Sequence, residues 1–270
     1  MIIIARRRPR RQKKITAAIL VLFVAAITWL ARDPNSQPNQ NQTNSQSSSA
    51  LTSQQVSKSA PTTGGKTQTA ANSTADQLAK LNFDQQQIIA VNQNKPTFSA
   101  ADLSLAKGSW DHYSDLDRLN RVGVADALIG KDSMPTTERE RLYIQPTGWH
   151  NRKVQINGHT DYLYNRCHLI GYQLTGQNNN PKNLMTGTRS LNDPGMTYYE
   201  NAIAQYIKRT GHHVRYQVRP VFRGNELVAR GIQMMAQSVE DGQVSFNVYI
   251  FNIQTNYIID YSTGQSRTAK

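Results

Sequence analysis

The sequence predicts an α+β fold, a mostly antiparallel sheet with flanking helices, and three observations carry that prediction. In "VSFNVYIFNI", Val244, Phe246, Val248 and Ile250 alternate with Ser245, Asn247 and Tyr249, the period of two expected of a strand. Two further strand-like runs, "HVRYQVRPVF" and "ELVARGIQMMAQSV", are separated from it and from each other by "RGN" and "EDGQ", turns short enough for antiparallel hairpins. Just before them, "MTYYENAIAQYIKRTG" spaces Tyr199, Ile203, Tyr206 and Ile207 along one helical face and ends on Gly211, suited to a left-handed C-terminal cap.

From the N-terminus, residues 1–14 carry Arg6, Arg7, Arg8, Arg10, Arg11, Lys13 and Lys14, and residues 15–31 form an uncharged apolar run, "ITAAILVLFVAAITWLA". A basic flank before an apolar run predicts membrane targeting. As a helix the run reaches about 25 Å, the short limit for a span, so a retained anchor and a cleaved signal peptide both fit. Trp29 and the lack of a small-x-small cleavage site favour the anchor, with the rest of the chain outside the cytoplasm. Residues 32–80 are dominated by Ser, Thr, Asn and Gln and are expected to be a disordered tether, because so few apolar side chains cannot offset the entropy of ordering. Residues 81–270 form the single folded domain.

That domain begins with a lead-in around "ADQLAKLNFDQQQIIAVNQNK", read as a short helix or a mixed segment. Trp110 and Tyr113 follow as expected core anchors, then a turn and a strand carrying Val122, Val124 and Ala125. The net charge of +13 overstates this domain's basicity, since seven cations precede the apolar run, leaving about +6. The excess suits a polyanionic partner as well as simple solubility. A single cysteine excludes an internal disulfide and a cysteine-rich zinc cage. Export without disulfides fits a bacterial surface.

That cysteine stands in "LYNRCHLIGYQL", beside His168. On a strand Cys167 and His168 would point to opposite faces, so they cannot share a proton as a nucleophile and its base. No second cysteine exists, and His150, His159, His212 and His213 show no zinc-like spacing with His168. Cys167 is expected to be a small buried filler and His168 the chemically useful member. Downstream follow Asn183, Arg189, Asn192 and Glu200; the two asparagines and the glutamate offer amide and carboxylate oxygens of the kind magnesium takes, although "NNNPKN" also reads as a loop and Asn192 as a helix cap.

The stretch "YNRCHLIGYQLTGQNNNPKNLMTGTRSLN" resembles the active-site segment of the DNA/RNA non-specific endonucleases, of the ββα-metal (His-Me finger) superfamily, and in particular the membrane-attached or secreted DNases of Gram-positive bacteria, including DNA-entry nucleases. The family's Asp-Arg-Gly-His is Asn165-Arg166-Cys167-His168 in this chain, a departure that spares the histidine. The likeness runs from about Asp115, through "IQPTGWHN", to "IDYSTGQS". It implies a ββα-metal core and hydrolysis of phosphodiester bonds in DNA, and in RNA as well, leaving a 5′-phosphate. His168 would be the general base, Asn192 the ligand of Mg2+ (with Mn2+ as a substitute) and Asn183 a supporting polar residue. Arg166 and Arg189 would grip the scissile phosphate. Glu200 would anchor metal-bound water if the helix between it and Asn192 were continuous, which Pro194 and Gly195 put in question. A base of ordinary pKa, about 6.5, would serve at physiological pH. Contacts to phosphates and not bases imply little sequence preference. The expected location is a cell-membrane anchor with an extracellular nuclease domain, or secretion. DNA-uptake machinery is a possible partner, and a non-catalytic surface DNA-binding protein and a secreted antibacterial toxin nuclease are the alternatives.

Overall fold

The computed structural model describes residues 69–70 and 74–269. The expected cytoplasmic segment and anchor at 1–31, and most of the expected tether, lie outside the described residues. Among the described residues no helix is long and apolar enough to cross a membrane.

The strands are β1 (Thr69–Ala70), β2 (Ile88–Val91), β3 (Trp110–Tyr113), β4 (Ala125–Ile129), β5 (Lys153–Ile156), β6 (His159–Tyr162), β7 (Tyr164–His168), β8 (Leu184–Thr188), β9 (Val214–Val221), β10 (Gly231–Ser238), β11 (Ser245–Phe251), β12 (Tyr257–Ile259) and β13 (Ser266–Thr268). The helices are α1 (Ala75–Lys80), α2 (Tyr172–Thr175) and α3 (Thr197–Thr210). Seven strands form the main sheet in the order β1-β2-β11-β10-β9-β4-β3, antiparallel except for β1 against β2. Three two-stranded sheets, β5-β6, β7-β8 and β12-β13, complete the body.

The alternation along β11 sorts its side chains, but both faces are covered. Phe246, Val248 and Ile250 join Ile203, Ala204 and Ile207 of α3 in the principal core. Tyr249 and Phe251 point the other way, onto Leu78 of α1 and Ile89 and Val91 of β2. Burying an aliphatic side chain of this size contributes about 1.5–3 kcal/mol, so Leu78, with no exposed surface, makes α1 part of the fold although it lies in the stretch assigned to the tether. Thr74 and Gln77 close a capping box at the start of α1. Asn247, which the alternation alone would leave in water, is buried and accepts a hydrogen bond from Gln233 at 2.8 Å.

Helix α3 matches its apolar spacing and ends at Gly211, where φ is +75° and the N–H bonds Ile207 at 2.8 Å. Tyr113 is buried in the principal core as expected, whereas Trp110 is only partly buried and stacks on the Arg215 guanidinium at 4.9 Å. The strand expected around Val122 and Val124 starts at Ala125; only Val122 of the earlier pair is buried. The site rests on β7, β8 and α3, a ββα unit docked on the α3 side of the sheet.

Candidate active site

Strand β7 separates the adjacent cysteine and histidine as the pleat requires. Cys167 has no exposed surface, and its Sγ lies 3.2 Å from the Met196 Sδ; burial pushes its thiol pKa up. His168 lines a cleft of about 830 Å³ together with Arg139, Arg141, Trp149, Arg166, Asn192 and Glu200.

The imidazole is fixed by its neighbours. Its Nε2 lies 2.8 Å from the Asn178 carbonyl oxygen, an acceptor only, so Nε2 carries the proton and Nδ1 the lone pair. Nδ1 lies 3.4 Å from an Arg139 guanidinium nitrogen. Burial brings the His168 pKa down to about 4, and the Arg139 cation pushes the same way against the opposing pull of the Asn178 carbonyl. The ring is therefore neutral at physiological pH with more margin than an ordinary histidine, in place of the expected value near 6.5.

Asn192 sits in a wide π-helical turn, Leu191–Met196, which carries the chain past Pro194 into α3. Its carboxamide has no hydrogen-bond partner among the described residues and lines the cleft. Despite Pro194 and Gly195, that turn brings Glu200 to the same cleft. Glu200 is 5 % exposed and accepts the Gly171 N–H at 2.7 Å; burial raises its pKa to about 8. A Cβ at Gly171 would stand 2.5 Å from Glu200 Oε2, so only glycine leaves the carboxylate this seat. One free amide oxygen and one carboxylate short of a charge partner fit a hard divalent ion that keeps much of its water. No group of three or more His, Cys, Asp or Glu that could hold a metal ion occurs among the described residues, so a bound ion would depend on this amide, this carboxylate and water.

Asn183 does not face the cleft. Fully buried, it accepts the Ile170 N–H at 2.9 Å and donates to the Ile170 carbonyl at 3.0 Å, so its support is to the backbone just after His168. Arg166 lines the cleft, its Nε donating to the Ile144 carbonyl at 2.5 Å and its guanidinium 4.6 Å over the Trp149 ring. Arg189 departs from the expected phosphate grip. Its guanidinium is shared by Asp161 at 3.0 Å and Asp193 at 2.9 Å, which ties β6 to the turn carrying Asn192. Arg139 and Arg141 were not singled out from sequence; both are exposed, on a segment without helix or strand, and no periodicity marks them.

Residues 103–240 match the model of the DNA/RNA non-specific endonuclease family. A deoxyribonuclease of Streptococcus dysgalactiae subsp. equisimilis is 32% identical over 111 residues, 39% of this chain; the chain spans about a third of the length of that curated relative. The magnesium-bound structure of NucA from Streptococcus agalactiae superposes with a TM-score of 0.60 at 26% identity, covering 67% of this chain and 88% of that one. The zinc-bound structure of Sda1 nuclease superposes with a TM-score of 0.55 at 31% identity, covering 59% of this chain and 81% of that one. With the ββα unit carrying His168 and Asn192 at its centre, the chain belongs to the DNA/RNA non-specific endonuclease family.

Proposed function

We propose that the protein is an extracytoplasmic, magnesium-dependent endonuclease that hydrolyses phosphodiester bonds in DNA and RNA with little sequence preference. The observation that carries this reading is the His168 imidazole: its Nε2–H is committed to a main-chain carbonyl, and its basic Nδ1 lies beside an arginine in a cleft shared with Asn192 and Glu200.

His168 Nδ1 takes the proton of the attacking water. Its depressed pKa keeps it unprotonated, and the Asn178 carbonyl stabilises the positive charge that forms once the proton arrives. Arg139 and Arg166 line the same cleft and compensate the charge building on the phosphate. Asn192 and Glu200 would hold the divalent ion, whose contribution is Lewis-acid stabilisation of the phosphate and of the leaving oxygen. Magnesium is favoured by the oxygen-only donors, with manganese the substitute. The basic, apolar run at 6–31 supports attachment to a bacterial membrane or secretion, and DNA uptake is one role such a placement would serve.

Plasmid degradation by wild type and His168→Ala, with magnesium and with EDTA, tests the reading. The expected result is cutting by wild type with magnesium only and a loss of at least a hundredfold in the variant. Equal cutting by the variant would remove His168 from the base role; binding without cutting by wild type would make the protein a DNA-binding module.

A further inference from the structure

The segment from Thr136 to Pro146, which carries Arg139 and Arg141 into the cleft, contains neither helix nor strand, and its main chain makes no backbone–backbone hydrogen bond among the described residues. Its backbone is held by side chains. The Tyr172 hydroxyl meets the Thr137 carbonyl at 2.9 Å and the Glu138 carbonyl at 3.2 Å. Asn178 Nδ2 donates to the Glu140 carbonyl at 3.2 Å. The Asn179 carboxamide pairs as a peptide group would, donating to the Arg141 carbonyl at 3.1 Å and accepting the Tyr143 N–H at 3.0 Å. Arg166 closes the far end at Ile144.

We propose that Asn179, with Asn178 and Tyr172, is a positioning residue: it docks this strap against the loop after β7 so that the Arg139 guanidinium stands at His168 and meets the substrate phosphate. The inference rests on the nuclease reading and assigns a function to the "NNN" run. Asn178 has a double part, because its carbonyl fixes the His168 tautomer while its side chain holds the strap. The strap makes few apolar contacts and its side chains are mostly exposed, so losing an anchor frees it without opening the core.

A double-mutant cycle separates this role from a merely structural one. Asn179→Ala and Arg139→Ala are each expected to lower kcat/KM about tenfold or more, and Asn179→Ala in the Arg139→Ala background to lower it less than about twofold, because contributions routed through one group do not add. Each single variant should also flatten the dependence of log kcat/KM on log salt by about 0.9, the signature of one lost phosphate contact on duplex DNA. Tyr172→Phe, which removes only a hydroxyl, repeats the measurement should Asn179→Ala fold poorly. Additive losses with an unchanged salt slope would overturn the proposal. Failure of the nuclease reading would show separately, as binding without cutting by wild type.

Discussion

Acidification is a sharp perturbation of the site, because His168 and Glu200, both buried in the cleft, respond to it in opposite senses. His168 has its pKa lowered to about 4 by burial. At pH 6, an imidazole of pKa 6.5 would be about one quarter neutral, whereas one of pKa about 4 is about 99 per cent neutral. At saturating magnesium, the acid limb of kcat/KM, which reports the free enzyme, should therefore have its midpoint near pH 4. The same shift sets stability. The unfolded chain binds the His168 proton more tightly than the folded one, so this contribution is complete above pH 6.5 and is lost as pH falls towards 4, about 3 kcal/mol in all. Glu200, raised to about 8, works the other way: its contribution is complete below about pH 4.5 and is lost as pH rises through 8. In a Glu200→Gln background without metal the histidine effect stands alone. There, urea unfolding of the parent minus that of Glu200→Gln with His168→Ala should gain about 3 kcal/mol between pH 4 and 6.5. An acid limb near 6.5, or a difference flat across that range, would refute the buried-base argument.

Divalent-ion binding to wild type at pH 7 should release close to one proton, from Glu200, and Glu200→Gln should abolish the release; calorimetry in buffers of different ionisation enthalpy measures it. Asn183→Ala leaves both Ile170 backbone groups without partners and should cost about 2–4 kcal/mol in denaturant titration, with activity falling in step with the folded fraction. Arg166→Ala should reduce the salt slope of kcat/KM by about 0.9, whereas Arg189→Ala should leave it unchanged, its guanidinium being engaged by Asp161 and Asp193.

Much of the site was legible because its residues sit on regular elements. Strand alternation sets Cys167 apart from His168, and the 3.6-residue period locates α3, with Asn192 in the turn before it. The tight packing that sets the histidine pKa was not legible, since burial of His168 depends on residues far apart in sequence. Arg139 was hidden for a related reason: its segment has no period, and what holds it is a set of side chains 22 to 38 residues downstream. Arg189 has the composition of a phosphate ligand, and only the fold reveals the two carboxylates that occupy it. The lead-in around α1 reads as a short helix or a mixed segment whose start falls within the tether bounds, and the burial of Leu78 against Tyr249 and Phe251 depends on strands far downstream.

That lead-in has a consequence for how the molecule is handled. Helix α1 docks on the face of the sheet opposite the ββα unit, so the sheet stands between it and the cleft. A substitution at Leu78 would loosen the back of the body first, and the cleft would feel it only through the sheet.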